Sequence, residues 1–174
     1  MRVSVIAGDI ADAPADAICT STNPRLTLMM GTGGSVRDRG GFEVLRAAEE
    51  VLANSDRTSL PPGSVHVTTA GKLPYKAILH CIASDATHRS SDAVIRTCVV
   101  NALAAAESLD CTSLAMPVFA TGHAHYKFAK SLAAMAEALR SANTRLEHLI
   151  IVVRDEDRVD DAKRAIRDAG VTIA

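Results

Sequence analysis

The chain has 174 residues, the size of one ordinary domain, and 48% of them are hydrophobic, so it can bury a core without a metal or a disulfide. Its formal net charge of −1 excludes the broad positive surface of a general nucleic-acid-binding protein. Backbone N–H groups can still hold a ligand with few negative charges. No apolar stretch approaches the roughly 18–20 residues that span a bilayer, so no membrane partner is expected.

Short β-branched runs alternate with longer helical patterns along the chain. The predicted strands are Val3–Ala7, Ala17–Ser21, Val65–Thr69, Ala77–Ile82, Ser113–Val118, Leu149–Val153 and Val171–Ile173. The predicted helices are Ser35–Ala53, Asp92–Leu109, Phe128–Ser141 and Glu156–Ala169, the last capped by Gly170. Strands separated by helices of this length predict an α/β protein with a mixed, largely parallel sheet that is covered on both faces. We see no linker or internal repeat and expect residues 1–174 to form one domain.

The four cysteines lie far apart, in or beside apolar runs, and form no Cys-x-x-Cys pair. This spacing predicts reduced thiols in the core and not a disulfide or zinc framework. The first residues of the chain turn polar far too soon for a secretory signal. Together these features predict a cytoplasmic protein.

A glycine-rich segment, Met29-Met-Gly-Thr-Gly-Gly-Ser35, leads directly into a helical pattern. Glycines let the backbone approach a ligand closely, and the free N–H groups of a helix start suit a phosphate. A tight structural turn is the alternative interpretation. The segment has no lysine for a Walker A loop, and Val36 stands where a dinucleotide fingerprint needs its third glycine.

Three further segments follow strands, where open α/β sheets bind their ligands. Thr121 and Gly122 lie where the predicted strand from Ser113 gives way to a helix. Asp9 follows the first strand, and Asn23 follows the second. Taken alone, Asp9 is better explained by a turn in which it caps the next segment, and Asn23, before Pro24, by a turn.

The pair His123-Ala-His125 allows three interpretations. Two histidines can share a metal, but no third ligand is evident, and we expect no metal. A loop imidazole titrates near neutral pH and can act as a general base. The third interpretation, which we favour, is a donor to a phosphate or a ring that faces solvent. His80 and Cys81 alternate along a strand, point to opposite faces and cannot form a catalytic pair.

Four segments in chain order carry a further pattern: Gly8–Ile10, Ala15–Asn23, Gly63–His80 and Ser113–Gly122. They resemble the motifs of the macro domain family over most of the chain. That resemblance implies a three-layer α/β/α macro-type fold. It also implies ADP-ribose or a related nucleotide as ligand, ADP-ribosylated proteins as partners, and no cofactor.

The resemblance also implies roles for individual residues. Asp9 would accept a hydrogen bond from the adenine amino group, the Ile10 N–H would fix the ring, and Arg154 would stack on it. The alternative interpretation of Arg154 is an exposed charge at a strand end. Asn23 would face the distal ribose. The implied phosphate-binding residues are Gly31, Thr32, Gly33, Gly34, Ser35 and Val36 in the first loop and Thr121, Gly122, His123, Ala124, His125 and Tyr126 in the second.

Departures from the family pattern leave the activity open. Hydrolytic members place an aspartate where this chain has Gly33, and Asp38, the nearest acid, should lie inside the helix and point elsewhere. Thr20 replaces an asparagine, and Ala124 replaces the aromatic residue that covers the distal ribose. The alternatives to a binding domain are an ADP-ribosyl hydrolase, acting on proteins or on O-acetyl-ADP-ribose, and a module that binds another adenine nucleotide. The candidate catalytic residues are Asn23, His123 and His125.

Overall fold

The computed structural model describes residues 1–174, which form a six-stranded sheet flanked by helices. The strands are β1 (Arg2–Ala7), β2 (Ala17–Thr22), β3 (Val65–Thr68), β4 (Ala77–Ile82), β5 (Ser113–Pro117) and β6 (His148–Val153). The helices are α1 (Gly31–Gly40), α2 (Phe42–Ala53), α3 (Asp92–Ser108), α4 (Phe128–Arg140) and α5 (Val159–Asp168), with short 3-10 helices at Ile10–Asp12 and Glu156–Arg158.

The sheet has the order β1-β6-β5-β2-β4-β3, and only the edge strand β3 runs antiparallel to its neighbour. Alternate residues of β6 divide between two cores, because successive side chains of a strand point to opposite faces. Leu149, Ile151 and Val153 join one cluster, and Ile150 and Val152 join the other. The predicted mixed, largely parallel sheet and the three-layer α/β/α fold are confirmed.

The predicted helix Ser35–Ala53 is two helices in the structure, and the first begins four residues early, at Gly31. The break falls at Gly41, whose φ of 89° lies in the left-handed region that glycine tolerates. The carbonyl of Gly40 accepts the Lys72 N–H at 2.9 Å instead of continuing the helical ladder. A tertiary contact therefore decides the boundary.

The predicted terminal strand 171–173 is wrong, because only a single bridge joins Ile173 to Val3. Gly170 has a φ of 84° and donates to the Arg167 carbonyl at 2.8 Å, as expected of a residue that ends a helix. The last helical segment also opens with a 3-10 turn, so α5 itself begins at Val159. No helix has both the length and the apolarity that crossing a bilayer would take.

A polar network lies inside the sheet around His80, which is fully buried. The Thr68 hydroxyl donates to the Thr69 carbonyl at 3.1 Å, so it accepts from His80 Nε2 at 2.9 Å. His80 Nδ1 then accepts the Thr20 hydroxyl at 2.9 Å, which assigns a neutral imidazole. Burial, with a smaller contribution from the charge of His66, lowers the pKa of His80 to about 4.

Candidate functional site

A cleft of about 660 Å³ runs along the edge of the sheet where the parallel strands end. Because the strand order is β1-β6-β5-β2-β4, one end of the cleft lies beyond β1 and β6 and the other lies beyond β2 and β4. The loop after β5 lies between these ends. Parallel topology thus brings together five loops that are far apart in the sequence.

The first glycine-rich segment supplies the N-terminus of α1. The N–H groups of Gly31, Thr32 and Gly33 donate to no protein acceptor, and Met30, the residue before the helix, gives no side-chain cap. Gly31, Thr32 and Gly33 all line the cleft. The unpaired N–H groups and the positive end of the helix dipole make this an anion-receptive surface.

The loop after β5 presents a second row of unpaired donors. The N–H groups of residues 121–124 donate to no protein acceptor, and all four residues line the cleft. The loop is held in shape from within, since the Tyr126 N–H donates to the Ala120 carbonyl and the His125 N–H donates to the Gly122 carbonyl, each at 2.9 Å. These N–H groups are therefore fixed in direction before any ligand arrives.

Ser21 joins the two loops, a role that the sequence did not predict. Its N–H donates to the Thr32 hydroxyl at 3.0 Å, and its own hydroxyl accepts the Ala120 N–H at 2.9 Å. Ser21 lies near the end of β2, which pairs with both β4 and β5. Its position two residues before Asn23 was the only available signal.

Asp9 lies at the β1 end of the cleft, and its side chain caps a short helix, one of the two interpretations of this residue. Its Oδ1 accepts the Ala11 N–H at 2.9 Å, which caps the short 3-10 helix, and also accepts the Ser35 hydroxyl. Its Oδ2 has no protein donor, and the neighbouring Ile10 N–H has no protein acceptor. The carboxylate is thus oriented by one oxygen, and the other has no protein partner.

Arg154 follows β6 and lines the same end of the cleft. It is exposed, and its guanidinium makes no ion pair. The sequence did not predict Phe128, which also lines the cleft and whose ring lies 5.0 Å from the Arg158 guanidinium carbon. Arg154 and Phe128 thus reach the cleft from two elements that are far apart in the chain.

The opposite end of the cleft holds Asn23 and the histidines. The Asn23 side chain donates to the Thr27 hydroxyl at 2.7 Å and accepts the Arg25 N–H at 2.9 Å, so it shapes its own turn. The His123 ring lies 4.3 Å from the ring of His88, centroid to centroid. His88 lines the cleft but was not predicted as a site residue.

Three predicted binding residues do not line the cleft. Gly34 and Val36 are buried inside α1, because a helix that begins at Gly31 turns these positions towards the core. The Tyr126 hydroxyl donates to Asp92, and the Tyr126 side chain does not line the cleft. Asp38 pairs with Arg37 on the exposed face of α1 and is absent from the cleft, as predicted.

The only carboxylates that line the cleft are Asp9 and Asp155, and both follow strands at the β1 and β6 end. The end with Asn23 and His123 therefore has imidazoles, hydroxyls and amides but no acid. This distribution limits which groups could accept a proton there.

The doubly covered sheet and the two rows of unpaired N–H groups define an α/β protein with an anion-receptive crevice at its strand ends. The model of the family described as Macro domain matches residues 19–135, more than half of the chain. The chain belongs to the macro domain family. The matched segment includes both glycine-rich loops but not Asp9 or Arg154.

Relatives extend the likeness over the rest of the chain. "Macro domain-containing protein in non 5'region" of Streptomyces griseus is 34% identical, with 69% of this chain and 68% of that protein covered. The "O-acetyl-ADP-ribose deacetylase" of Citrobacter rodentium is 28% identical, with 97% of each covered. A mutant of the Oceanobacillus iheyensis macrodomain with ADPR has the same fold, with a TM-score of 0.87, 21% identity and 94% of this chain and 91% of that chain covered.

Proposed function

We propose that this protein binds ADP-ribose, or a derivative of it, in the cleft. The observation that carries the proposal is the pair of loops, at residues 31–33 and 121–124, whose N–H groups have no protein acceptor. Unpaired N–H groups that line one cleft suit a diphosphate, which offers acceptors to both loops at once. The solved macrodomain with ADPR supports this ligand.

The ends of the cleft give the ligand a direction. At the β1 end, Asp9 Oδ2 would accept the adenine amino group, the Ile10 N–H would donate to the ring, and Arg154 would cover its face. At the β2 end, Asn23 and Ala124 would border the distal ribose. Ser35 contributes indirectly, since its hydroxyl holds the Asp9 carboxylate.

The buried, unpaired cysteines support a reducing compartment, the cytoplasm, as the place of action.

Calorimetric titration with ADP-ribose tests the proposal. We expect a 1:1 stoichiometry and a higher melting temperature, because a ligand selective for the folded state stabilises it. AMP and NAD separate ADP-ribose from other adenine nucleotides in the same experiment. If AMP or NAD bound as tightly as ADP-ribose, the alternative of a general nucleotide-binding module would be favoured.

Asp9→Asn should weaken ADP-ribose binding by about ten- to a hundredfold, since a hydrogen bond to a charged group contributes about 1.5–3 kcal/mol. Asparagine keeps an oxygen for the cap at Ala11, so the melting temperature should change little. It would place an amide donor against the adenine amino group. Binding of each ligand to both proteins can be measured by calorimetry.

Ribose 5-phosphate is the control for this variant, because it lacks adenine. Its affinity should be the same in the wild type and in Asp9→Asn. An equal loss for both ligands would show that Asp9 acts only as a cap, and the adenine assignment would then be wrong.

Hydrolysis is the second candidate, supported by the relative described as an O-acetyl-ADP-ribose deacetylase. Water attack at the distal ribose needs a group that accepts the proton of the water. No carboxylate lines that end of the cleft, and both polar atoms of the Asn23 side chain are engaged in its own turn. His123, His125 and the ligand's own phosphate remain as candidate bases.

We expect binding without efficient turnover. A positioned general base contributes about 10²–10⁴-fold to a rate, so activity should lie at least about a hundredfold below that of a macro hydrolase with its loop aspartate. Mono-ADP-ribosylated proteins with acidic-residue and serine linkages, and O-acetyl-ADP-ribose, are the substrates to assay. Turnover equal to that of such an enzyme would overturn the binding-only interpretation. If His123→Ala or His125→Ala then lost turnover but kept binding, the replaced histidine would be the base.

A further inference from the structure

Three histidines, one from the loop after β4 and two from the loop after β5, lie together in the cleft. The rings of His88 and His123 are 4.3 Å apart and nearly perpendicular, at 87°. The ring of His125 lies 6.4 Å from that of His123. All three residues are exposed and line the cleft. The loop between β4 and α3, which carries His88, is thus a third element of the site beside the two glycine-rich loops.

The loop that carries His88 is tightly ordered by its own hydrogen bonds. Asp85 Oδ1 accepts the Thr87 N–H, the Thr87 hydroxyl and the Arg89 N–H at 2.8–2.9 Å. The Asp85 N–H donates to the Arg89 carbonyl at 2.8 Å. These bonds hold His88 in the left-handed region, with a φ of 60°. The loop therefore fixes the position of the His88 backbone before any ligand binds.

The surroundings of the cluster favour an anion over a metal. No group of three histidine, cysteine or acidic side chains in the chain is arranged to hold a metal ion. His123 and His125 belong to the loop whose N–H groups at residues 121–124 are unpaired. A protonated imidazole adds both a donor and a positive charge to such a row of donors.

We propose that His88, with His123 and His125, forms a proton-dependent anion site that holds the negatively charged part of the ligand. Binding of ADP-ribose then takes up protons, and affinity increases as the pH falls through the range in which imidazoles titrate. This inference rests on the proposed function, because the diphosphate supplies the anion. It adds His88 and its loop to the binding machinery.

Two carboxylates lie on the elements that carry or adjoin the cluster. The Asp85 carboxylate stays ionised, because the hydrogen bonds of its own loop lower its pKa. Asp92 accepts the Tyr126 hydroxyl, and the Arg89 guanidinium makes no ion pair. A diphosphate diester has no protonation step near neutral pH. A change in affinity between pH 8 and pH 6 therefore reports on the histidines.

Calorimetry with ADP-ribose from pH 8 to pH 6, in buffers of different ionisation enthalpy, tests the inference. We expect affinity to increase about two- to tenfold, the range for exposed charge pairs, together with net proton uptake. His88→Asn, His123→Gln and His125→Asn combined should give a flat profile, so the gain in affinity between pH 8 and pH 6 should be lost. Asparagine tolerates the left-handed backbone at position 88, so the loop should keep its shape. His66→Gln, on the edge strand β3 and outside the cleft, is the matched control and should keep the wild-type profile.

The outcomes separate this inference from the proposed function. ADP-ribose binding that is independent of pH, or a pH dependence that survives when all three histidines are replaced, would overturn the histidine site and leave the binding function intact. No binding of ADP-ribose at any pH would overturn both.

Discussion

Gly122→Glu should weaken ADP-ribose binding by at least about a hundredfold, the largest effect that we expect from one substitution. Gly122 lines the cleft between two residues whose N–H groups are also unpaired. A Cβ added there would meet nothing within 4 Å, and the residue lacks a positive φ, so the fold should accept the change. A carboxylate beside the diphosphate would cost several kcal/mol through like-charge repulsion, and each 1.4 kcal/mol is tenfold in affinity.

Two controls make the result specific. Gly122→Ala should bind nearly as well as the wild type, and Ala104→Glu adds the same charge on the exposed face of α3. Wild-type affinity in Gly122→Glu, measured by calorimetry, would rule out the loop as a phosphate site.

The first loop is less suitable for this test. A Cβ at Gly33 would lie 3.2 Å from the Leu28 side chain, and one at Gly34 would lie 3.1 Å from the Met29 carbonyl.

Acidification should remove about 3 kcal/mol of the free energy of unfolding through His80 alone. Its pKa is about 4 in the folded state against an ordinary value of 6.5, so below pH 6.5 the unfolded chain binds a proton that the folded chain does not. The contribution of His80 is therefore fully present above pH 6.5 and is lost progressively as the pH falls towards 4. Urea unfolding at a series of pH values measures it.

His80→Gln provides the comparison for this prediction. Glutamine can bond to Thr20 and Thr68 but does not titrate, so the variant should be less stable at pH 8 and lose less stability between pH 6.5 and 4. His88→Asn removes an exposed histidine and should lose as much stability between pH 6.5 and 4 as the wild type does. Parallel curves for the wild type and His80→Gln would show that another group causes the acid sensitivity.

Periodicity and turn chemistry predicted most of the fold. β4 was predicted with its observed bounds, because Ala77–Ile82 is a short, mostly apolar run between two loops. The start of α1 was misplaced at Ser35 because glycines have low helix propensity, and tertiary packing overrides that preference at Gly31. Gly34 and Val36 were placed in the cleft by the resemblance to the macro domain family, but they are buried in α1.

The unpredicted residues of the site share one cause. Ser21 lies in a segment where the pattern indicated only Asn23, and His88 and Phe128 lie on segments whose sequence shows no glycine-rich or ligand-like pattern. They reach the cleft because β2 pairs with β4 and β5, and because the parallel strands end at one edge. Pairing between strands some 60 to 100 residues apart, as for Ala17 with Ala77 and with Leu114, is not visible in any local window.

The sequence by itself determined the α/β class, the positions of the strands and the two glycine-rich loops, because these depend on local periodicity and on backbone freedom at glycine. The tertiary structure decided which donors stay unpaired, which oxygen of Asp9 is free and which histidines meet. These properties depend on where each N–H, carboxylate and ring finds a partner, and the partners of Asp9, Ser21 and His123 come from other strands and loops. Hydrogen bonding and packing across the sheet therefore turned two recognisable motifs into one cleft.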